Sequence, residues 1–251
     1  MSIYTHKILL FWLIYIVTII GSIGIAGYTG ILQNGFLFDK SHLTFVIFGF
    51  WMISEIIIGF IIYNSSKQLS NLQLIKKWLK ENPLTDITII DGVITLKSDT
   101  TYYTLKNDWF SRHINNLILR YTQSSRKSSF NQKILLDSLS DKIFTKNNWA
   151  YNSSTTIILL GLVGTVVGII LTFYPFLDAT VIIDVNRIKE SLGLIFAGVG
   201  AAFYPSAFSA IICVFLQFLD KILSIASAEI VDEITNLSET YILPCLEKTD
   251  E

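Results

Sequence analysis

The sequence predicts an all-α polytopic membrane protein: four transmembrane helices, an insert of helices with a small β hairpin, and a helical tail. Three observations predict it. Of the 251 residues, 51% are hydrophobic, more than a soluble domain of this length carries. Four apolar runs reach the roughly 20 residues that a helix takes to cross the hydrocarbon of a bilayer. The basic residues are concentrated, with 13 of the 19 Lys and Arg between positions 64 and 152.

The first two spans lie in residues 1–63, at about 8–28 ("ILLFWLIYIVTIIGSIGIAGY") and 43–63 ("LTFVIFGFWMISEIIIGFIIY"), joined by a short loop at 29–42. The first is too long for the apolar part of a cleaved leader, and no small-residue cleavage site follows it, so it reads as a retained anchor. Residues 64–152 form a polar insert. Its basic excess places it in the cytoplasm by the positive-inside rule, and four crossings then place both termini there too. Within it, Leu69, Leu72, Ile75 and Leu79 recur at helical spacing and continue the second span, with Pro83 beyond the end. "TDITIIDGVITLKSDTTYYTL" is rich in β-branched and aromatic residues, and Asp91-Gly92 between two such runs signals a hairpin. "DWFSRHINNLILRYTQ" and "NQKILLDSLSDKIF" read as helices, the second with a stripe of Leu135, Leu136, Leu139 and Ile143.

The second pair of spans, in residues 153–219, runs at about 155–174 and 192–219. The tail, 220–251, is helical by pattern and extends the last span, with Ile230, Ile234, Leu237 and Tyr241 on one face and Pro244 as a stop. The insert carries 13 basic and 7 acidic residues, the tail 2 basic and 8 acidic. Opposite charges on one side of a membrane predict that insert and tail pack together, within a chain or between chains. The plainer reading is a solvated acidic helix.

Glycines interrupt "LGLVGTVVGI" at 160–169. At about 100° per residue, Gly161, Thr165, Gly168 and Thr172 share one narrow helix face, with Gly164 just off it. In the fourth span Gly198, Ala202, Pro205 and Ser209 cluster similarly, with Ser206 at the edge. A small, weakly polar stripe lets another helix approach closely or lines a space for water or a partner's polar group. Pro205 frees the Ala201 carbonyl and predicts a kink. No Asp, Glu, Lys, Arg or His lies at 155–177 or 191–219. A titrating group for ion transfer would therefore come from outside these two spans.

"LGLVGTVVGIILTF" resembles the penultimate span of the MotA/TolQ/ExbB family of ion-channel subunits, and "GVGAAFYPSAFSAII" is similar to that family's last span. Two spans, an insert, two spans and a tail is the MotA-like layout. The resemblance implies a ring, usually a pentamer, in a bacterial inner membrane. It implies two copies of a single-span partner at the centre, each with a membrane aspartate, and ion flow, usually of protons, coupled to mechanical work. On this resemblance Thr165 matches the hydroxyl of the GTVVG motif and Ser206 the threonine of the last span. Thr172 and Ser209 would extend the ion pathway, beside a pore face of Gly161, Gly164, Gly168, Gly198, Ala202 and Pro205. A second register anchors on Glu190 and Pro205 and puts Phe196 where the family has a threonine.

Glu55, alone in the second span, is by default a functional carboxyl. The alternative is a structural one, protonated or bonded to Thr18 or Ser22 of the first span. Glu190, Asp178 and Asp184 sit near the outer mouth in this topology. His6, His42 and His113 are scattered and read as surface residues rather than ligands, and Cys213 and Cys245 do not make a plausible disulfide, so no metal or disulfide is expected. No cofactor, nucleophile–base pair or phosphate loop marks an enzyme, and nothing marks nucleic-acid binding; the basic insert suits anionic lipid. The competing function is a four-span scaffold or sensor acting through the insert.

Overall fold

The computed structural model describes residues 3–90, 93–123, 132–177 and 185–248, apart from the side chains of 3–7, 31, 32, 90, 175–177, 185–188 and 190. The element order is α1 (Ile3–Tyr28), α2 (Ile31–Phe38), α3 (Leu43–Glu81), β1 (Asp86–Ile90), β2 (Val93–Lys97), β3 (Tyr102–Thr104), α4 (Trp109–Gln123), α5 (Lys133–Asn147), α6 (Trp149–Leu177), α7 (Val185–Ala202) and α8 (Tyr204–Leu237). A π-turn, Ser238–Ile242, then leads into α9 (Leu243–Lys248). Four helical segments are long and apolar enough to cross a membrane: Ile8–Tyr28, Leu43–Glu81, Trp149–Tyr174 and Ser191–Lys248. The chain divides into two compact units, residues 11–60 with 149–221 and residues 1–10 with 61–148 and 222–251.

In the apolar unit, two expectations are corrected. Residues 29–42 are not a plain loop but hold α2. Gly30, at φ 74, supplies the left-handed turn that starts it, a conformation glycine adopts without steric cost. Gly35 in α2 lies so close to the Phe208 ring that a Cβ there would overlap it. Asp39, buried, then opens α3: its carboxylate accepts the Ser41 and Thr44 amides at 2.9 and 2.8 Å and the Ser41 hydroxyl. Burial alone would raise its pKa, but these hydrogen bonds prevail and hold it below the ordinary carboxylate value.

The second correction concerns the last span. Residues 192–219 are not one helix; α7 stops at Ala202 and α8 starts at Tyr204. The Phe203 amide bonds back to Gly200 in a tightened last turn, and the Ala207 amide bonds to the Phe203 carbonyl. The break moves Pro205 into the first turn of α8, where its missing N–H would have had no intrahelical acceptor anyway.

In the polar unit, α3 runs unbroken to Glu81, and at 1.5 Å per residue its 39 residues measure roughly 58 Å, about twice the hydrocarbon thickness. Leu69, Leu72, Ile75 and Leu79 are all buried, as the spacing predicts. The β region exceeds the single expected hairpin: β1, β2 and β3 form an antiparallel meander, with Ile90 opposite Val93 and Lys97 opposite Tyr102. The predicted Asp91-Gly92 turn lies outside the described residues. The second connection is a tight turn closed by the Ser98 amide on the Thr101 carbonyl. Helix α5 buries Leu135, Leu139 and Ile143, while Leu136 is half-buried.

Insert and tail pack on each other within one chain. Lys76 and Glu233 form an ion pair at 2.7 Å. The Asn147 amide donates to Ser227 at 2.6 Å, and the Gln132 amide to Glu239 at 2.9 Å. Around these bonds Ile230, Ile234 and Leu237 are fully buried; Tyr241 is half-buried.

His113 is no surface residue. It is 2% exposed in α4, its Nε2 has no partner, and burial lowers its pKa to about 4. The unfolded chain therefore binds the proton between about pH 6.5 and 4 while the fold excludes it. Stability is complete above about pH 6.5 and falls as pH drops toward 4, by about 3 kcal/mol in all. The difference in thermal unfolding between wild type and His113→Leu in detergent, measured from pH 7 to 4, should show this; parallel curves would refute it.

Candidate functional site

The two small-residue stripes meet each other. A Cβ on any of four glycines, Gly161, Gly164, Gly168 and Gly198, would meet the opposite stripe. At Gly161 it would overlap the Ser209 side chain and come within 3.0 Å of the Pro205 carbonyl. At Gly164 it would lie 2.6 Å from Pro205 Cβ, and at Gly168 2.8 Å from Ala202 Cβ. At Gly198 it would overlap Thr172. Read along the chain, 161 to 172 meets 209 to 198 in reverse order, so α6 packs antiparallel against α7 and the start of α8. The glycines are small because backbone meets side chain there with no room for a methyl. Without water to drive apolar association, such close packing is how membrane helices adhere.

The hydroxyls sit inside this seam. Thr165 and Ser206 share a hydrogen bond of 2.5 Å. The Gly161 carbonyl lies 3.2 Å from the Thr165 hydroxyl and 3.0 Å from the Ser206 hydroxyl. Two hydroxyl protons thus face three short contacts, and both are satisfied internally. Thr172 donates to the Gly168 carbonyl at 2.8 Å and Ser209 to the Ser206 carbonyl at 2.9 Å. Thr165, Thr172 and Ser209 are buried; Ser206 is half-buried and is the member of the four that keeps the most access. The α6 segment and the α7–α8 start thus bring Thr165, Ser206, Gly161, Gly164 and Pro205 together at one level, and Gly168, Thr172, Gly198 and Ala202 at another.

Phe196, the residue of the alternative register, is 73% exposed. Glu190 belongs to α7, but its side chain lies outside the described residues, as do Asp178 and Asp184.

Glu55 stands apart from the seam. Its Oε1 accepts from Tyr15 of α1 at 2.6 Å and from Trp51 at 2.9 Å. The inter-helix bond expected from Thr18 or Ser22 is made by Tyr15 instead, because Thr18 and Ser22 bond to the carbonyls of Ile14 and Thr18 on their own helix. The Tyr15 ring also packs on Phe215 and Phe218 of α8, so one carboxyl ties α1 to α3 and the Tyr15 ring ties α1 to α8. Trp51 was visible in the sequence, one helical turn before Glu55. Tyr15, on another helix, left no such signal. Beside this cluster an apolar cavity of about 200 Å³ lies among Ile19, Ile23, Phe48, Phe208 and Ile211.

Chemically, the seam offers hydroxyls and carbonyls and no titrating group. Among the described residues, no group of His, Cys, Asp and Glu could hold a metal ion. No family model, curated protein or solved structure matches the chain, and the likeness to the MotA/TolQ/ExbB family stays a resemblance of motif and layout.

Two predictions follow from these distances. Gly168→Ala should lower stability by about 1–3 kcal/mol, because the new methyl has nowhere to go. Gly200→Ala, where nothing lies within 4 Å of the added carbon, should be neutral or slightly stabilising; thermal unfolding in detergent compares them. Glu55→Gln should fold and function normally, since an amide oxygen can accept both bonds, whereas Glu55→Leu should cost about 1–3 kcal/mol by stranding Tyr15 and Trp51. An intact but inactive Glu55→Gln protein would make the carboxyl functional instead.

Proposed function

We propose that the chain is the ring-forming subunit of an ion channel or motor in a bacterial inner membrane. The observation that carries this reading is the Thr165–Ser206 hydroxyl pair in a close-packed seam that lacks any charged residue. A seam of this kind can solvate an ion-carrying group but cannot supply one. The carrier is then a carboxylate on a single-span partner, in two copies within a ring of five, with protons as the ion. Ser206, the most accessible of the four hydroxyls, would turn its proton from Gly161 or Thr165 to that carboxylate, leaving Thr165 on the Gly161 carbonyl. The same pairing favours Ser206 over Phe196 as the match to the family's threonine. Insert and tail would then face the cytoplasm, and mechanical work would leave through the partner.

A second reading, a four-span scaffold or sensor without conduction, is favoured by one observation: both hydroxyl protons already have acceptors inside the chain. The two readings part at Thr165→Val. As part of an ion path, Thr165→Val should cut proton flux by about tenfold or more, the equivalent of one lost hydrogen bond of about 1.4 kcal/mol; as helix packing, it should leave activity unchanged. Native mass spectrometry of the detergent-purified protein tests the ring itself. Five copies, with a co-purifying pair of single-span chains, are the expected result. A monomer or dimer that persists across concentrations in mild detergent would rule it out.

A further inference from the structure

Some of the opposite charges of insert and tail stay exposed among the described residues. The Lys76–Glu233 pair joins insert and tail, whereas Lys77–Glu81 is internal to α3 and long at 3.9 Å. Glu229 and Asp232 line a groove between α3 and α8 of about 350 Å³, together with Leu69, Gln73, Lys76 and Glu233. Both carboxylates are exposed and neither has a cationic partner among the described residues. On α3, Lys67, Lys77 and Lys80 are exposed as well, with one carboxylate, Glu81, beside Lys77, and Leu74 among them is 56% exposed. Ile225, one turn before Glu229, is 50% exposed. So the polar unit presents two helical strips, each with an exposed aliphatic residue: a basic one on α3 and an acidic one on α8. The basic strip runs about 20 Å from Lys67 to Lys80 at 1.5 Å per residue, and the acidic one runs from Glu229 through Asp232 on α8 toward the exposed Glu239 of the π-turn.

We infer that the acidic α3–α8 groove of one copy receives the lysine strip of α3 from a neighbouring copy of this chain. The inference rests on the ring reading. A ring needs a heterologous interface, two different patches of one surface that fit each other, and one chain carrying both signs on separate strips supplies that pair. Two identical patches of like charge would repel, so the same strips disfavour a two-fold dimer through either patch alone. Lysines Lys77 and Lys80 would enter beside Glu229 and Asp232, and Leu74 would meet Ile225. Such rim pairs set register and partner orientation more than raw affinity, and salt screens them.

The test uses the full chain in mild detergent, with oligomer mass followed against concentration and salt. Glu229→Lys/Asp232→Lys should shift half-assembly to at least about tenfold higher concentration at low salt. Lys77→Glu/Lys80→Glu should do the same. The four substitutions combined restore complementarity with signs exchanged and should recover assembly, which a misfolded protein could not do. Oligomers indifferent to each reversal, or a fourfold variant no better than either pair, would overturn the inference while leaving the ring intact. A wild-type chain that is monomeric at every salt concentration would overturn the ring, and the inference with it.

Discussion

The rest of the apolar unit depends on how closely α6 can approach α7 and α8. In hydrocarbon no water is released when apolar faces meet, so adhesion comes from van der Waals contact and hydrogen bonding. Both need short distances. Gly161, Gly164 and Gly168 remove side chains along one face of α6, and Ser209, Pro205 and Ala202 occupy the space. That approach is what lets the Thr165 and Ser206 hydroxyls reach the same carbonyl, that of Gly161. A residue one methyl larger at Gly161 would separate all three. Packing and polar chemistry here are one feature, and a seam built for adhesion is also the place where a hydroxyl pair can be held in fixed geometry.

Much of this was legible in the sequence, for reasons that differ by element. The four apolar runs are visible because hydrophobicity over about 20 residues is a strong, local signal. The continuation of the second span into α3's polar half showed in the 69–72–75–79 spacing, and the stripes of α6 and α7 in simple helical geometry. What pairs with what was not legible. That the two stripes face each other, in reverse order and in step, depends on tertiary approach. Glu55 shows the same limit: its helix neighbour Trp51 was readable and its inter-helix partner Tyr15 was not, because several first-span residues stood equally near in any plausible packing. The β region was half-read, since Asp91-Gly92 is a strong turn signal whereas Ser98–Thr101 carries no glycine or proline to mark it. Helix α2 was missed because eight residues are too few for periodicity to show.

Charge told a coarser story than contact. The difference between a basic insert and an acidic tail correctly implied that the two associate. Yet among the described residues the association within one chain is built round buried Ile230, Ile234 and Leu237, with polar bonds such as Lys76–Glu233 beside them. This agrees with the small net worth of exposed ion pairs in water. Charge left over after folding is available for recognition, where its value lies in excluding wrong orientations.

The interruption at Phe203 has a consequence for how the chain is made. A continuous helix satisfies its own backbone and can enter hydrocarbon alone. Between Ala202 and Tyr204 the helical ladder is interrupted, although the Phe203 amide and carbonyl are bonded to Gly200 and Ala207, and any backbone group left over at membrane depth is costly unless protein or water covers it. Here Gly164 presses on Pro205 beside the gap. Packing against α6 at that point gives the break a protein neighbour in place of lipid. Synthesis from the N-terminus makes α6 before α7 and α8, so that neighbour exists by the time the break is made.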